Sequence, residues 1–333
     1  MKVAFFDVHR FERKSFDAAN QRIGHEIVYF EPRLTAETAK LAANFPVICA
    51  FVNDRLNEAT LEILKKEGAQ LIALRSAGFN HVDLVAAQKL GLKVVRVPAY
   101  SPHAVAEHAV TLLLALNRKI IRANSRVREL NFSLEGLVGF DLCGKTVGIL
   151  GTGRIGSIMA TIMKGFGCQV LAYDVFPNPE LTALGVKYVT LTELYSRSDI
   201  ISLHVPLNET THHMINEKSL AQMKSGVFLI NTGRGRLIDT KALIASLKNG
   251  HLGAAGLDVY EEEENIFFQD LSESGLQDDI LARLLTFPNV LITSHQAFLT
   301  QEALNKIAEV TLENISSFER NEELTNEVKA SSI

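Results

Sequence analysis

The chain has 333 residues, room for two domains, and 47% of them are hydrophobic, so each domain can bury a core. A net charge of −4 and the lack of a basic tail argue against nucleic acid or an anionic membrane as a partner. Three scattered cysteines (Cys49, Cys143, Cys168) fit no metal-ligand spacing and suit a reducing, cytoplasmic setting, and no apolar run approaches the roughly 20 residues of a membrane span.

Strand-like and helix-like segments alternate along the chain, which predicts an α/β protein with parallel sheets. The N-terminal run is too short for a signal sequence and reads as a strand over 3–6. Further strands are expected over 26–30, 47–52, 71–74 and 93–97, with helices over 14–23, 58–67 and 82–90. Pro98-Ala-Tyr-Ser-Pro102 interrupts the alternation. Ser101 reads as an N-cap and Pro102 as a first-turn proline. A long helix over about 103–116 follows, with Val105, Ala109, Leu112, Leu113 and Leu116 at the spacing of a buried face. His103 and His108 lie on it and read as structural. Later strands are expected at 146, 170, 187–189, 200–204, 227–231, 253–258 and 290–292. A last helix, over 303–318, comes too late to begin a domain and is expected to pack back on the first one. The expected division is a discontinuous domain of 1–99 plus 298–333, with 100–297 inserted.

The most informative stretch lies inside the insert. A short strand at Thr146 to Leu150 runs into Gly151-x-Gly153-x-x-Gly156, a helix is expected over 157–166, and a second strand ends at Asp174. Gly151 allows a tight turn, Gly153 lets the backbone approach a pyrophosphate, and Gly156 lets helix and strand pack closely. Asp174 is placed to accept from a ribose 2′-hydroxyl. Strand, glycines, helix, strand and acid in this order predict a dinucleotide site. No Arg or Lys lies between Asp174 and Glu180, so a 2′-phosphate would meet a carboxylate alone, and NAD is favoured over NADP.

Ligands of open parallel sheets sit beyond the carboxyl ends of the strands. That rule selects His204-Val205-Pro206, Thr232-Gly233-Arg234-Gly235, Asp258 to Glu263, and Thr293-Ser294-His295. Reduction of a carbonyl by NADH needs a proton donor that titrates near neutrality, and histidine suits this role. It also needs a fixed cation for the carboxylate and carbonyl, and arginine offers a planar fork. Here Arg234, between two small residues, and His295 are the candidates. Glu263 would orient the histidine and favour its charged form. Alone, each has an ordinary reading: a loop histidine, a surface arginine, one acid of the run Glu261 to Glu264. Arg236, His212 and His213 read as solvated or structural.

With these residues in place, the chain resembles the D-isomer-specific 2-hydroxyacid dehydrogenases over essentially its full length. The matching motifs are Gly151-Thr-Gly-Arg-Ile-Gly156, His204-Val-Pro-Leu207, Asn231-Thr-Gly-Arg-Gly235, Gly256-Leu-Asp-Val-Tyr260 with Glu263, and Ser294-His-Gln-Ala297. Phe51-Val-Asn-Asp54, Ala77-Gly-Phe-Asn80, Arg96-Val-Pro-Ala-Tyr-Ser-Pro102, Asn131-Phe-Ser-Leu-Glu-Gly136 and His295-Gln-Ala-Phe-Leu-Thr300 narrow the resemblance to the D-lactate-forming branch. The resemblance implies two Rossmann-like or flavodoxin-like domains with the active site in the cleft between them. It implies Arg234 as substrate clamp, His295 as acid/base and Glu263 as its partner. It implies NAD contacts from Arg154, Ile155, Asp174, Val205, Pro206, Thr211, Thr232, Gly233 and Asp258. Substrate contacts fall to Ala77, Gly78 and Tyr100, with Phe298 closing the methyl side. Homodimers or homotetramers are implied, with the helix after Pro102 in the dimer contact. The run Glu262-Glu-Glu264 departs from the family's usual glycine or proline beside the acid. Two other readings share these residues: a relative with a larger substrate (phosphoglycerate, hydroxyisocaproate or glyoxylate) and an NAD-sensing corepressor. The chain's end at Ile333 and its lack of basic extensions weigh against the phosphoglycerate and corepressor forms respectively.

Overall fold

A computed structural model describes residues 1–264 and 266–330. In chain order it contains β1 (Lys2–Phe5), α1 (Arg10–Ile23), β2 (Glu26–Tyr29), β3 (Val47–Ala50), α2 (Glu58–Lys66), β4 (Leu71–Leu74), α3 (Leu84–Lys89) and β5 (Lys93–Val95). Then come α4 (Pro102–Asn117), α5 (Ile120–Arg128), β6 (Thr146–Leu150), α6 (Arg154–Gly165), β7 (Gln169–Tyr173), α7 (Pro179–Ala183) and β8 (Lys187–Tyr188). The rest are α8 (Leu191–Arg197), β9 (Ile200–Leu203), α9 (Glu217–Gln222), β10 (Val227–Asn231), α10 (Thr240–Lys248), β11 (Leu252–Leu257), α11 (Asp279–Leu285), β12 (Val290–Ile292) and α12 (Gln301–Glu319). The chain divides into two units: Met1–Ser101 with Leu299–Ile333, and Pro102–Phe298.

The first unit holds a parallel sheet in the order β2-β1-β3-β4-β5. Its central strands, VICA and LIAL, are buried on both faces, as continuous apolar runs in parallel sheets are. Caps set the helix limits more than hydrophobic periodicity does. Helix α1 starts at Arg10, a turn earlier than expected, because the Glu12 carboxylate accepts from the His9 backbone N–H. Asp83 caps α3, which therefore starts after Val82. Strand β5 stops at Val95, where the C-terminal segment joins its edge: Val95 bridges Glu327, Val328 N–H donates to Val94, and Arg96 N–H donates to Asn326. Helix α12 packs on α1 and β4.

The second unit holds a seven-stranded parallel sheet in the order β12-β11-β10-β9-β6-β7-β8. The connections run outward from β6 through β7 to β8, then resume on the other side at β9. The reversal between β6 and β9 makes the crevice that the strand-end rule requires. Helix α4 begins at Pro102 and buries Val105, Ala109, Leu112 and Leu113, packing on α6 and β11, while Leu116 is half-buried. Helix α5, which periodicity did not predict, buries none of its residues.

Candidate active site

The glycine loop sits at the reversal between β6 and β9. Gly151 has φ +90°, and a Cβ there would lie 2.7 Å from the His204 carbonyl and 2.8 Å from Val205 N. A turn this tight beside the β9 exit admits only glycine. Helix α6 starts at Arg154, not at Ser157, with Gly153 as its N-cap. Gly156 therefore lies in the first turn, and its close neighbour is the loop more than the strand: a Cβ would stand 1.9 Å from the Gly151 oxygen. A Cβ on Gly153 would meet nothing within 4 Å, so the space over the α6 N-terminus is open on the protein side. Arg154 and Ile155 form the first helical turn, whose backbone N–H groups face that space.

The residues around this loop brace it. Asp174 accepts from Thr152 N (2.5 Å) and Thr152 Oγ1 (3.1 Å) on Oδ2, and from Phe176 N (2.9 Å) on Oδ1. Burial pushes its acidity toward neutrality, but these bonds outweigh burial and hold it below the usual carboxylate range. The His204 ring lies 2.9 Å from Ser202 Oγ, and burial lowers it to about 4, so it is neutral. It supports the loop from below. Thr211 spends its hydroxyl on the Pro206 carbonyl (2.6 Å), closing the 206–211 turn that carries Val205 and Pro206 into place. Thr232 Oγ1, at the end of β10, is buried and has no hydrogen-bond partner among the described residues. An orphaned hydroxyl at the carboxyl edge of the sheet that also carries the open α6 N-terminus fits a dinucleotide.

Arg234, Glu263 and His295 come from three loops of the same edge. Asn231, buried at the end of β10, accepts from Gly233 N (3.0 Å) and donates to the Arg234 carbonyl (2.9 Å), so one side chain shapes the arginine loop. The Arg234 Nη1 donates to the Gly233 carbonyl (2.8 Å). Gly235 serves packing, not reach: a Cβ there would lie 2.0 Å from the Tyr260 oxygen, so the 258–263 loop rests directly on it. In that loop Glu263 Oε2 accepts from Tyr260 N (3.0 Å), and Oε1 stands 2.8 Å from His295 Nδ1. His295 Nε2 forms no bond among the described residues, which leaves it for a ligand oxygen. The histidine backbone has φ +50°, a conformation costing about 1–2 kcal/mol for a residue with a Cβ. Asp258 holds it there. It is fully buried, its carbonyl accepts from His295 N (2.7 Å), Oδ1 from Gln296 N (2.8 Å), and Oδ2 from Ala297 N (2.8 Å). The Asp258 carboxylate is thus spent largely on the histidine loop. The acidic run is more than a solvated loop. Glu261 accepts from Thr240 N and Oγ1 and meets His213 Nε2 at 2.6 Å, while Glu262 faces Arg236 at 3.5 Å.

Phe298 ends the second unit, two residues before α12 is capped by Thr300. Ala77, Gly78 and Tyr100 belong to the first unit. There Arg96 Nη1 donates to the Ala77 carbonyl (2.7 Å) and Ser76 Oγ to the Gly78 carbonyl (2.8 Å). Both carbonyls are engaged, and neither the Ala77 nor the Gly78 N–H donates a bond among the described residues. Thr152, Asn231, Ser76 and Arg96 escaped the sequence reading. Thr152, Asn231 and Arg96 stood inside the motifs, but no spacing announces which loop a polar side chain will brace.

The description of the D-isomer specific 2-hydroxyacid dehydrogenase NAD-binding domain matches residues 110–297. The D-lactate dehydrogenase of Escherichia coli is 51% identical, over 98% of this chain and 100% of its own. Its apo-structure superposes with a TM-score of 0.91 at 49% identity, covering 98% of this chain and 100% of that one. A structure of the pyruvate reductase of Chlamydomonas reinhardtii gives 0.93 at 45% identity, with 98% of each chain covered. That of a D-lactate dehydrogenase from Aquifex aeolicus, complexed with NAD and lactic acid, gives 0.85 at 36% identity, with 96% of each covered. The glycine loop, the strand-end triad and these likenesses identify the chain as a member of the D-isomer-specific 2-hydroxyacid dehydrogenase family, an NAD-dependent oxidoreductase.

Proposed function

We propose that the protein reduces pyruvate reversibly to D-lactate. The observation that carries this reading is the Glu263–His295 pair at 2.8 Å with Nε2 left free, on the same strand-end edge as Arg234. Glu263 accepts from Nδ1–H and so fixes the tautomer and ring orientation, leaving Nε2 to give its proton to the substrate carbonyl oxygen. Arg234 takes the carboxylate and polarises the carbonyl, a role for which its fork suits better than a lysine. The substrate contacts assigned to Ala77 and Gly78 are their two unbonded N–H groups, which suit a carboxylate. Tyr100 is assigned beside them and Phe298 to the methyl group. Gly151, Gly153, Gly156, Arg154, Ile155, Asp174, His204, Val205, Pro206, Thr211, Thr232, Gly233 and Asp258 are assigned to the NAD site or its support. NADH, when bound, supplies the hydride.

The protein is further read as a homodimer or homotetramer. Helix α5 buries nothing, and Leu130, Phe132, Leu134 and Val138 after it are exposed. No described helix is long and apolar enough to cross a membrane. The reaction is tested with pyruvate, phenylpyruvate, hydroxypyruvate and glyoxylate under NADH, with chiral analysis of the product. Pyruvate is expected to have the highest kcat/KM and to give D-lactate. L-lactate, or inactivity on all four acids, would refute the reading.

A further inference from the structure

Three consecutive backbone N–H groups, those of His295, Gln296 and Ala297, all end on Asp258. The orientation of the catalytic imidazole therefore depends on how firmly that one carboxylate is held. Its side-chain partners are Thr293, whose hydroxyl donates to Oδ1 at 2.5 Å, and, at longer range, His108. That hydroxyl has one proton and has spent it. A second contact to the threonine oxygen must be a donor. It comes from α4: His108 Nε2 lies 3.0 Å from Thr293 Oγ1 and 3.4 Å from Asp258 Oδ1, with the ring mostly buried. The geometry assigns the proton of His108 to Nε2 and gives a directed chain, His108 to Thr293 to Asp258, at whose end sits the loop with His295 in its left-handed turn.

We propose that His108 is a positioning residue for the proton donor, acting through Thr293 and Asp258 to fix the loop that presents His295. The proposal rests on reading His295 as the acid. It makes α4 part of the catalytic apparatus, although no atom of His108 is assigned to substrate or cofactor. Removing the ring leaves the Thr293 oxygen without its donor, free to rotate away from Asp258.

The test compares His108→Ala, His108→Gln, Thr293→Val and the Ala/Val double variant in the full chain. In His108→Ala, kcat for pyruvate should fall by roughly 10–100-fold, the loss expected when a reacting group is misplaced by about an ångström. The NADH Kd and the melting temperature should hold. His108→Gln, whose amide Nε2–H can reach Thr293, should recover most of the loss. Thr293→Val should resemble His108→Ala, and the double variant should be no worse than the weaker single, as members of one chain behave. A second readout needs no turnover: the ring resonances of His295, assigned by their loss in His295→Gln, should move in His108→Ala and return in His108→Gln. An unchanged kcat with unmoved resonances overturns the proposal. So does a His108→Gln variant as impaired as His108→Ala, with melting temperature and NADH affinity falling together, which would make His108 a packing residue. If His108→Ala does not fold, Thr293→Val and His108→Gln read the same chain. A wild-type protein inactive on every 2-oxo acid would sink the functional reading alone, while moved resonances would still support the positioning role.

Discussion

His295 is held by two unlike constraints, a backbone in the left-handed region and a ring tied to Glu263 at 2.8 Å. Both serve the free Nε2. Replacing the ring by glutamine keeps a polar group but removes the titrating acid, so His295→Gln should lower kcat by roughly 10²–10⁴-fold with NADH binding retained. Activity within threefold of the parent would remove this residue from the mechanism. Arg234→Lys keeps the charge and loses the fork. The pyruvate KM should rise steeply with some loss of kcat, and unchanged steady-state constants would make the arginine structural. A third residue, His204, affects stability. Burial lowers its imidazole to about 4 from 6.5, so the folded state keeps it neutral while the unfolded chain protonates it. Its contribution is present above pH 6.5 and is lost as the pH falls toward 4. Between those values the melting temperature of the parent should drop more than that of His204→Gln. Parallel declines would show that His204 does not set this slope.

The α6 N-terminus shows how far an element could be read before its structure was known. The glycines announced the turn, and Gly151 occupies it with φ +90°. The helix starts three residues before the expected Ser157, because Gly153 is its cap, and cap geometry is a backbone property that hydrophobic spacing does not report. The short helices α7 to α11 were missed for a related reason: with five to nine residues each, they show too little of a 3.6-residue period, and their Asn, Thr and Asp caps were the better signal. The two outer glycines and the middle one should now behave differently. Gly156→Ala drives a Cβ into the Gly151 carbonyl and should lower both melting temperature and NADH affinity. Gly153→Ala meets no protein atom, so the fold should be untouched while NADH affinity falls, because the added methyl occupies the pyrophosphate approach. Calorimetry beside NADH titration separates the two, and full affinity in Gly153→Ala would place the pyrophosphate elsewhere. Asp174→Ala should narrow the preference for NADH over NADPH by removing the repulsion of a 2′-phosphate. It should also loosen Thr152, so some NADH affinity is lost, and an unchanged kcat/KM ratio for the two cofactors would move the ribose away from this acid.

Across the whole chain, what sequence patterning conveyed was the alternation of strands and helices, since period-2 and period-3.6 burial are local properties. What it could not convey was the outward-facing surface of 118–140, since exposed apolar residues there look like core residues in a list of letters. The structure shows this stretch to be ordered without being buried. Lys119 Nζ donates to the Val138 carbonyl, Arg126 Nη1 to that of Glu135 (2.6 Å), and Asn117 exchanges two bonds with the backbone of Phe140 (2.8 and 2.9 Å). Gly139 passes so close to the Asn117 carbonyl that a Cβ would lie 2.5 Å away. The segment is thus pinned by its polar groups, while Phe132, Leu134 and Val138 stay 69%, 80% and 82% exposed. Exposed apolar side chains on a segment already pinned lose little entropy on association and are unfavourable in water, so a second copy of the chain is their expected cover. Helix α4 spends its apolar side largely on its own unit, whereas α5 buries none of its residues there. Sedimentation at micromolar concentration should give a dimer or tetramer for the parent. Phe132→Asp with Leu134→Asp should shift it to smaller species while the folded chain and its NADH binding persist, since neither side chain belongs to a core. A parent protein that sediments as a single chain, or a double variant with unchanged mass, would show that this surface is not where copies meet.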